Sequence, residues 1–302
     1  MFRLAHISDP HLGPLPEPTY RELASKRITG YVNWRRNRMR HHREGVVDAV
    51  TAAIKTEAPD HLAITGDLVN LALDAEIHKA RQWLDDLGEP EGISVVPGNH
   101  DAYVPGALDE ACRAWAPYMC GDDMRHPVDR DAFPYMRRRG PVCLIGVSSA
   151  RATAPFMANG FFRADQAKRL AALLRSAGED GCYRVVMIHH PPLRGIDPVG
   201  RLFGIRLFQS VIRDNGAELV LHGHTHLPSL GWIAGHDAPT PVVGVAATGQ
   251  SPGGRRPAAG FNLFEIVRRK GEWKTTLERH SVAGHVAGTE RVSVEMLDPA
   301  RA

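Results

Sequence analysis

The chain of 302 residues is short of several things, and each shortage excludes a class of protein. Long apolar runs are missing: nothing approaches the roughly 20 residues that span a bilayer, so no membrane-spanning helix is expected. No secretory leader is expected either. Met1 opens straight into Phe2-Arg3-Leu4-Ala5-His6-Ile7-Ser8, which alternates like a strand and has no small-residue cleavage site. Cysteines are few: Cys112, Cys120, Cys143 and Cys182 stand far apart without Cys-x-x-Cys spacing, and they read as reduced, structural thiols of a cytoplasmic protein. Net charge is small, +3, but unevenly spread. Residues 20–43 hold eight Arg or Lys and one acid, Glu22, which makes +7 and leaves about −4 for the rest.

What remains, 43% hydrophobic and 24% charged, is an ordinary globular composition able to bury a large core. Apolar runs at 2–8, 61–65 and 93–96 alternate with helical periodicity at 44–57 and 74–88, the pattern of βαβ units with parallel strands buried on both faces. Strand runs at 142–147, 183–188 and 218–221 accompany helices expected at 164–177 and 201–214, while 102–140 is weakly patterned. Runs at 241–247, 261–268 and 272–280 predict a β-rich return. The expected division is one domain over residues 1–284, carrying a basic insertion at about 14–43, and a loosely attached tail at 285–302.

Sixteen histidines are many for this length, and seven of them, His11, His100, His189, His190, His222, His224 and His226, gather near the carboxyl ends of expected strands. Asp9, Asp67 and Asn99 stand with them, at the strand ends where ligands of open α/β sheets collect. Three oxygen donors and four imidazoles can close two adjacent nitrogen-and-oxygen metal sites, leaving one histidine for proton transfer.

Asp9-Pro10-His11 presents a carboxylate and an imidazole from one tight loop, or merely an Asx-type turn. Asp67, after Gly66, can bridge two cations with its two oxygens or cap the following helix, and Asn70 can point into the same cleft. Gly98-Asn99-His100-Asp101 is the most specific element: Asn99 offers an amide oxygen, His100 is a candidate acid, and Asp101 reads as a support for the ligands. His189 and His190 precede Pro191 and Pro192, which hold the chain extended. Adjacent side chains then point apart, so one of the pair is the direct ligand, taken as His189. His224 and His226 can serve different metals, and His222 reads as a hydrogen-bonded buried histidine.

In this order the motifs resemble the calcineurin-like metallophosphoesterase superfamily, over residues 9–226; the His-His-Pro-Pro and Gly-Asp-Leu-Val-Asn forms resemble its class III phosphodiesterase-like branch. The resemblance implies an α/β fold, a four-layer α-β-β-α sandwich whose second sheet comes largely from about 229–281. It implies two metal ions per chain, one held by Asp9, His11, Asp67 and His226, the other by Asp67, Asn99, His189 and His224. It implies attack on phosphorus by a metal-bridging hydroxide, with His100 protonating the leaving oxygen. Donors of this kind without thiolate suit Mn²⁺, Fe or Zn²⁺, and the resemblance favours manganese or iron. Asn70 matches the position where phosphodiesterase-type members carry asparagine, which leans toward diesters. Pro10 departs from the family slot and predicts a stiffer loop.

Ile28, Tyr31, Val32 and Trp34 predict an apolar helical stripe among the arginines of 20–43, either a lid over the metals or a helix packed on its own domain. Arginines mixed with aromatics suit an anionic amphiphile or a peripheral membrane contact. Nucleic acid ranks lower because the overall charge is small. Arg137-Arg138-Arg139 either extends this positive surface or, more commonly for three arginines in a loop, is simply solvated. Two enzyme readings follow: hydrolysis of a small phosphodiester, and pyrophosphatase action on a nucleotide-linked lipid of the UDP-2,3-diacylglucosamine type, with the insertion as lid. A third, a non-catalytic metal-bound interaction scaffold, is disfavoured by the complete ligand set.

Overall fold

The structure, a computed structural model, describes residues 1–38, 45–123, 128–195, 199–283 and 288–301. Arg40 and Arg43 of the basic segment, and residues 284–287 at the expected tail boundary, lie outside the described residues. The first part of the chain forms β1 (Phe2–Ile7), α1 (Tyr20–Leu23), α2 (Arg27–Asn33), α3 (Val46–Glu57), β2 (His61–Ile64), α4 (Asp74–Leu87), β3 (Ile93–Val95) and α5 (Ala107–Ala114). Next come β4 (Tyr135–Arg139), β5 (Val142–Gly146), β6 (Gly160–Phe161), α6 (Ala164–Glu179), β7 (Tyr183–Met187), β8 (Leu202–Phe203), α7 (Ile205–Asn215) and β9 (Leu219–His222). The return consists of β10 (Ser229–Ile233), β11 (Thr240–Gly244), β12 (Gly260–Arg269), β13 (Glu272–Val282) and β14 (Thr289–Met296).

One sheet has the order β14-β13-β12-β1-β2-β3 and the other β10-β11-β9-β7-β5-β4. The strands that lead to the motifs, β1-β2-β3 and β5-β7-β9, run parallel within their sheets. The expected origin of the second sheet is therefore corrected: β10 and β11 join it, but β12 and β13 complete the first, with Leu4 opposite Phe264. The reason lies in burial. Phe261, Asn262, Leu263 and Phe264 are all buried, which covers both faces of β12 and suits a strand in mid-sheet. The tail is corrected as well, because Thr289–Met296 pairs antiparallel with β13, Glu295 opposite Leu277. Its alternation Val292-Ser293-Val294-Glu295-Met296 is a strand pattern.

The two sheets face each other. Tyr183 of β7 lies edge-on to Trp273 of β13, ring centroids 5.4 Å apart, and its hydroxyl is 2.6 Å from Thr275 Oγ1. Tyr135 of β4 donates to the Val95 carbonyl of β3 at 2.8 Å. On the outside, Leu170 and Leu174 of α6 and Phe208 and Ile212 of α7 pack with Ile145, Val186 and Val220. Val50 and Ile54 of α3 and Ile77 and Leu84 of α4 join the core of the first sheet. Each such side chain, fully buried, contributes about 1.5–3 kcal/mol. The result is a mixed α/β fold with central sheets flanked by helices.

Arg137 does not extend a positive surface. It is buried, and its guanidinium donates to the carbonyls of Pro90, Ile93, Pro117 and Cys120, tying loop ends together. Arg138 and Arg139 pair with Asp180 and Asp122. All four cysteines are free, and no described helix is long and apolar enough to cross a membrane.

Candidate metal centre

Asp9 follows β1, Asp67 follows β2, Asn99 and His100 follow β3, His189 follows β7, and His224 and His226 follow β9. Parallel strands deliver all of them to one end of the sandwich. Among the described residues nine that are not glycine have positive φ, and five of these are Asp9 (52°), His11 (43°), Asp67 (57°), His224 (68°) and His226 (58°). Left-handed backbone costs free energy for any residue with a Cβ, so its concentration here marks where the fold holds strain for function. Asp9 bears it even though Pro10 restricts the residue before it.

Two buried carboxylates hold the strained turn after β2. Asp101 accepts from the backbone N–H groups of Asp67 (2.8 Å), Leu68 (2.8 Å), Val69 (3.2 Å) and Gly98 (2.8 Å). Glu76 accepts from those of Asn70 (2.8 Å), Leu71 (3.0 Å) and Leu73 (3.0 Å). Burial, with the Asp67 charge behind it, pushes the Asp101 carboxyl up to about 7, against the pull of its N–H bonds. Asn70 lies buried inside this turn and donates to the Leu12 carbonyl at 3.2 Å, joining the first ligand loop to the second. Two glycines allow the close approach: a Cβ on Gly98 would fall 2.1 Å from Asp67 Oδ1, and one on Gly223 would fall 1.9 Å from Ser8 Oγ.

The ring tautomers follow from the backbone. His11 Nδ1 lies 3.0 Å from the Val69 carbonyl and must donate to it, which turns Nε2 toward Asp9 Oδ1 and Asp67 Oδ2, each 3.9 Å away. His189 Nδ1 likewise donates to the Thr65 carbonyl at 2.6 Å, and Nε2 faces Asn99 Oδ1 at 3.2 Å and Asp67 Oδ2 at 3.4 Å. In the neutral ring a nitrogen lone pair thus meets oxygen lone pairs, an arrangement that a shared cation relieves. Without one, a proton must serve: burial lowers the His189 pKa, but Asp67 and its hydrogen bond raise it to about 9.

The distances fit metal ions. Two donors about 2.1 Å from one ion and at right angles lie about 3.0 Å apart. Among the described residues Asp9 Oδ1 is buried without a hydrogen-bond partner, although His226 Nε2 lies 3.1 Å from it. His224 Nδ1 is 2.9 Å from Asn99 Oδ1. Donor atoms of Asp9, His11 and His226, and those of Asp9, Asp67 and His189, fall within 4.8 Å of one another. So do those of His11, Asp67 and His100, and of His189, His190 and His224. The protein thus carries buried Asp and His clusters suited to a binuclear metal site.

Asp67 differs in detail from the expectation that both its oxygens face cations. Oδ1 accepts the His100 backbone N–H at 2.7 Å, leaving Oδ2 to face both His11 and His189. His190 is fully engaged elsewhere: Nε2 donates to the Ala158 carbonyl at 2.9 Å and Nδ1 accepts from the Ser149 hydroxyl at 2.8 Å. Buried His222 donates from Nδ1 to the Gly223 carbonyl at 2.9 Å, and burial lowers its pKa to about 4. His100 is half-buried and donates from Nδ1 to the Asn70 carbonyl at 2.5 Å. Its ring stacks on Tyr103, centroids 5.4 Å apart.

Glu76 and Tyr103 are absent from the sequence reading, although Glu76 left a signal there, an acid three residues into a helix start. Lys26 entered it only as one of the basic residues of 20–43. Lys26 reaches across the cleft: Nζ sits 4.6 Å from the Tyr103 ring centroid and donates to Thr153 Oγ1 (2.7 Å) and the Met157 carbonyl (3.0 Å). Burial lowers its pKa to about 8. The expected apolar stripe is split, with Tyr31 and Trp34 packed against the core and Ile28 and Val32 exposed.

The family model described as calcineurin-like phosphoesterase matches residues 2–228. The chain is 29% identical over 233 residues to a probable cyclic nucleotide phosphodiesterase of Synechococcus sp. (strain ATCC 27144 / PCC 6301 / SAUG 1402/1), covering 76% of this chain and 80% of that one. It is 30% identical over 181 residues to the glycerophosphodiester phosphodiesterase GpdQ of Enterobacter lignolyticus (strain SCF1), covering 56% of this chain and 57% of that protein. A dimetal phosphatase from Danio rerio shares the fold, with a TM-score of 0.62 at 14% identity and coverage of 99% of both chains. Matched over most of its length and carrying the buried clusters just described, the chain belongs to the calcineurin-like phosphoesterase family as a metal-dependent hydrolase of phosphoester bonds.

Proposed function

We propose that the protein hydrolyses phosphodiesters, with one ion held by Asp9, His11, Asp67 and His226 and a second by Asp67, Asn99, His189 and His224. The observation that carries this reading is Asp67 Oδ2, which faces His11 Nε2 on one side and His189 Nε2 on the other. The diester assignment is supported by the two sequence relatives, both named as phosphodiesterases. When bound, the ions supply Lewis acidity at the phosphoryl oxygens and a water acidic enough to attack at neutral pH. Donors without thiolate favour Mn²⁺ or Fe and accommodate Zn²⁺.

His100 is the proton donor in this reading. Its Nδ1–H is fixed on the Asn70 carbonyl, so Nε2 is the atom from which the ring passes a proton to the leaving alkoxide. Tyr103 holds the plane of that ring from one side and His11 meets it edge-on from another, at 4.8 Å between centroids. Asn70 acts through its backbone oxygen on His100 and through its side chain on the loop of His11.

A second reading, a nucleotide-linked lipid brought from a membrane surface, draws on exposed Tyr20, Ile28 and Val32 beside the arginines of the insertion. Purified protein loaded with Mn²⁺ separates the two. Turnover of bis(p-nitrophenyl) phosphate that is lost in His100→Ala, without turnover of UDP-2,3-diacylglucosamine, is the expected result. A protein that binds two ions per chain yet leaves every diester intact would overturn the proposal.

A further inference from the structure

A cavity of about 390 Å³, within the size range of small-molecule sites, is lined by residues that directly follow Tyr103 and Ser149, the contacts of His100 and His190. Val104, Leu108, Ala150, Arg151 and Phe161 form much of its wall. Its position is fixed from two sides. Val104 follows Tyr103, which stacks on His100. Ala150 follows Ser149, whose hydroxyl meets His190, and the Phe161 N–H donates to the Ser149 carbonyl at 3.0 Å. His190 in turn packs on His224, ring centroids 4.4 Å apart.

Several polar groups of the wall are already engaged. Arg130 pairs with Asp109, and Arg163 lies 3.1 Å from both Asp131 and Asp165. Gln166 uses both ends of its amide on the Ser148 backbone, at 2.9 Å each. Arg151 is different: among the described residues it has no carboxylate partner, donates to Asn159 Oδ1, and lies 5.7 Å from the ring centroids of Phe161 and Phe203. Phe161 is 43% exposed.

We propose that this cavity receives one alcohol arm of the diester, and that Phe161 and Arg151 select planar aromatic arms, aryl or nucleoside, over polyol arms. The proposal rests on the diesterase reading. A glycerol-type arm has no planar face to lay on Phe161, and its hydroxyls gain little there over the hydrogen bonds they already make with water. An aromatic arm offers a face to Phe161 and electron-rich edges to the guanidinium of Arg151, the contacts that hold bases in sequence-tolerant sites.

The test compares Phe161→Ala and Arg151→Ala with the wild type, all Mn²⁺-loaded, on bis(p-nitrophenyl) phosphate, the p-nitrophenyl ester of thymidine 5′-monophosphate and glycerophosphoethanolamine. KM for the two aromatic substrates should rise tenfold or more with kcat within about twofold, while glycerophosphoethanolamine kinetics and bound metal stay unchanged. Phe161→Tyr should restore the aromatic KM. Binding of 5′-AMP to the metal-free protein, followed by calorimetry, should weaken by a similar factor in Phe161→Ala. Equal losses on all three substrates, or unchanged KM and AMP binding, would overturn the subsite. Absence of diester turnover in the wild type would sink the diesterase reading, while AMP binding would still judge the cavity.

Discussion

Two segments flank the same metal centre and are held in opposite ways. The turn at 66–73 is fixed through its backbone, because Asp101 and Glu76 together accept the N–H groups of six of its residues from 67 to 73. The insertion that carries α1 and α2 is fixed through side chains: Lys26 bonds Thr153 and Met157, and Arg27 donates to the carbonyls of Leu71 and Ala72. Ligand placement tolerates little error, so it is built on buried carboxylates that leave the backbone no alternative. The insertion positions none of the candidate ligands, and long cationic side chains suffice to hold it.

Four experiments can break or sharpen this contrast. The largest effect belongs to His100, held by the fixed turn through Asn70: His100→Ala should lower kcat about 10²–10⁴-fold with metal content unchanged. Retained activity would remove it from the reaction. Asp101→Ala should weaken metal binding about 10–100-fold and destabilise the fold by at least about 2 kcal/mol, since four N–H groups lose their acceptor. Metal titration and urea unfolding read the two effects separately, and a normal metal affinity would show that the turn does not depend on that carboxylate.

A third experiment probes the strands that lead to the turn. His6 and His61 are buried beside Thr65 and Ser94, and burial lowers both pKa values to about 3. Between pH 6.5 and about 3 the unfolded chain therefore binds protons that the folded chain refuses. Stability should fall as pH falls through that window, by about 1.4 kcal/mol per unit for each histidine. His61→Gln should remove one such share, and identical urea midpoints against pH for variant and wild type would contradict this. The smallest effect is expected at the insertion, where Lys26→Met should change stability by less than about 1 kcal/mol while altering KM for bulky diesters. A loss as large as that of Asp101→Ala would erase the contrast.

The motif-bearing strands could be read from the chain because parallel strands buried on both faces appear as short continuous apolar runs ending in the residues they deliver. Other elements left weaker traces. β4 carries three arginines and α5 is only eight residues long, so neither stands out from 102–140. β12 shows its strand character plainly, yet nothing local states which sheet it enters. That choice came from packing, which placed Phe264 opposite Leu4. Arg137 looked like surface charge because sequence cannot show four carbonyls converging on one guanidinium.

The residue types and their spacing determined that carboxylate, amide and imidazole donors would meet at strand ends, and hence the family and the phosphoester chemistry. Tertiary structure decided which donor atoms converge in the candidate metal centre. The lone pair of His189 Nε2 is aimed by a hydrogen bond to Thr65, 124 residues away, and Asp67 is reduced to one facing oxygen by the His100 N–H. A donor's chemistry is local to its side chain, but the direction of its lone pair belongs to whatever binds its other side.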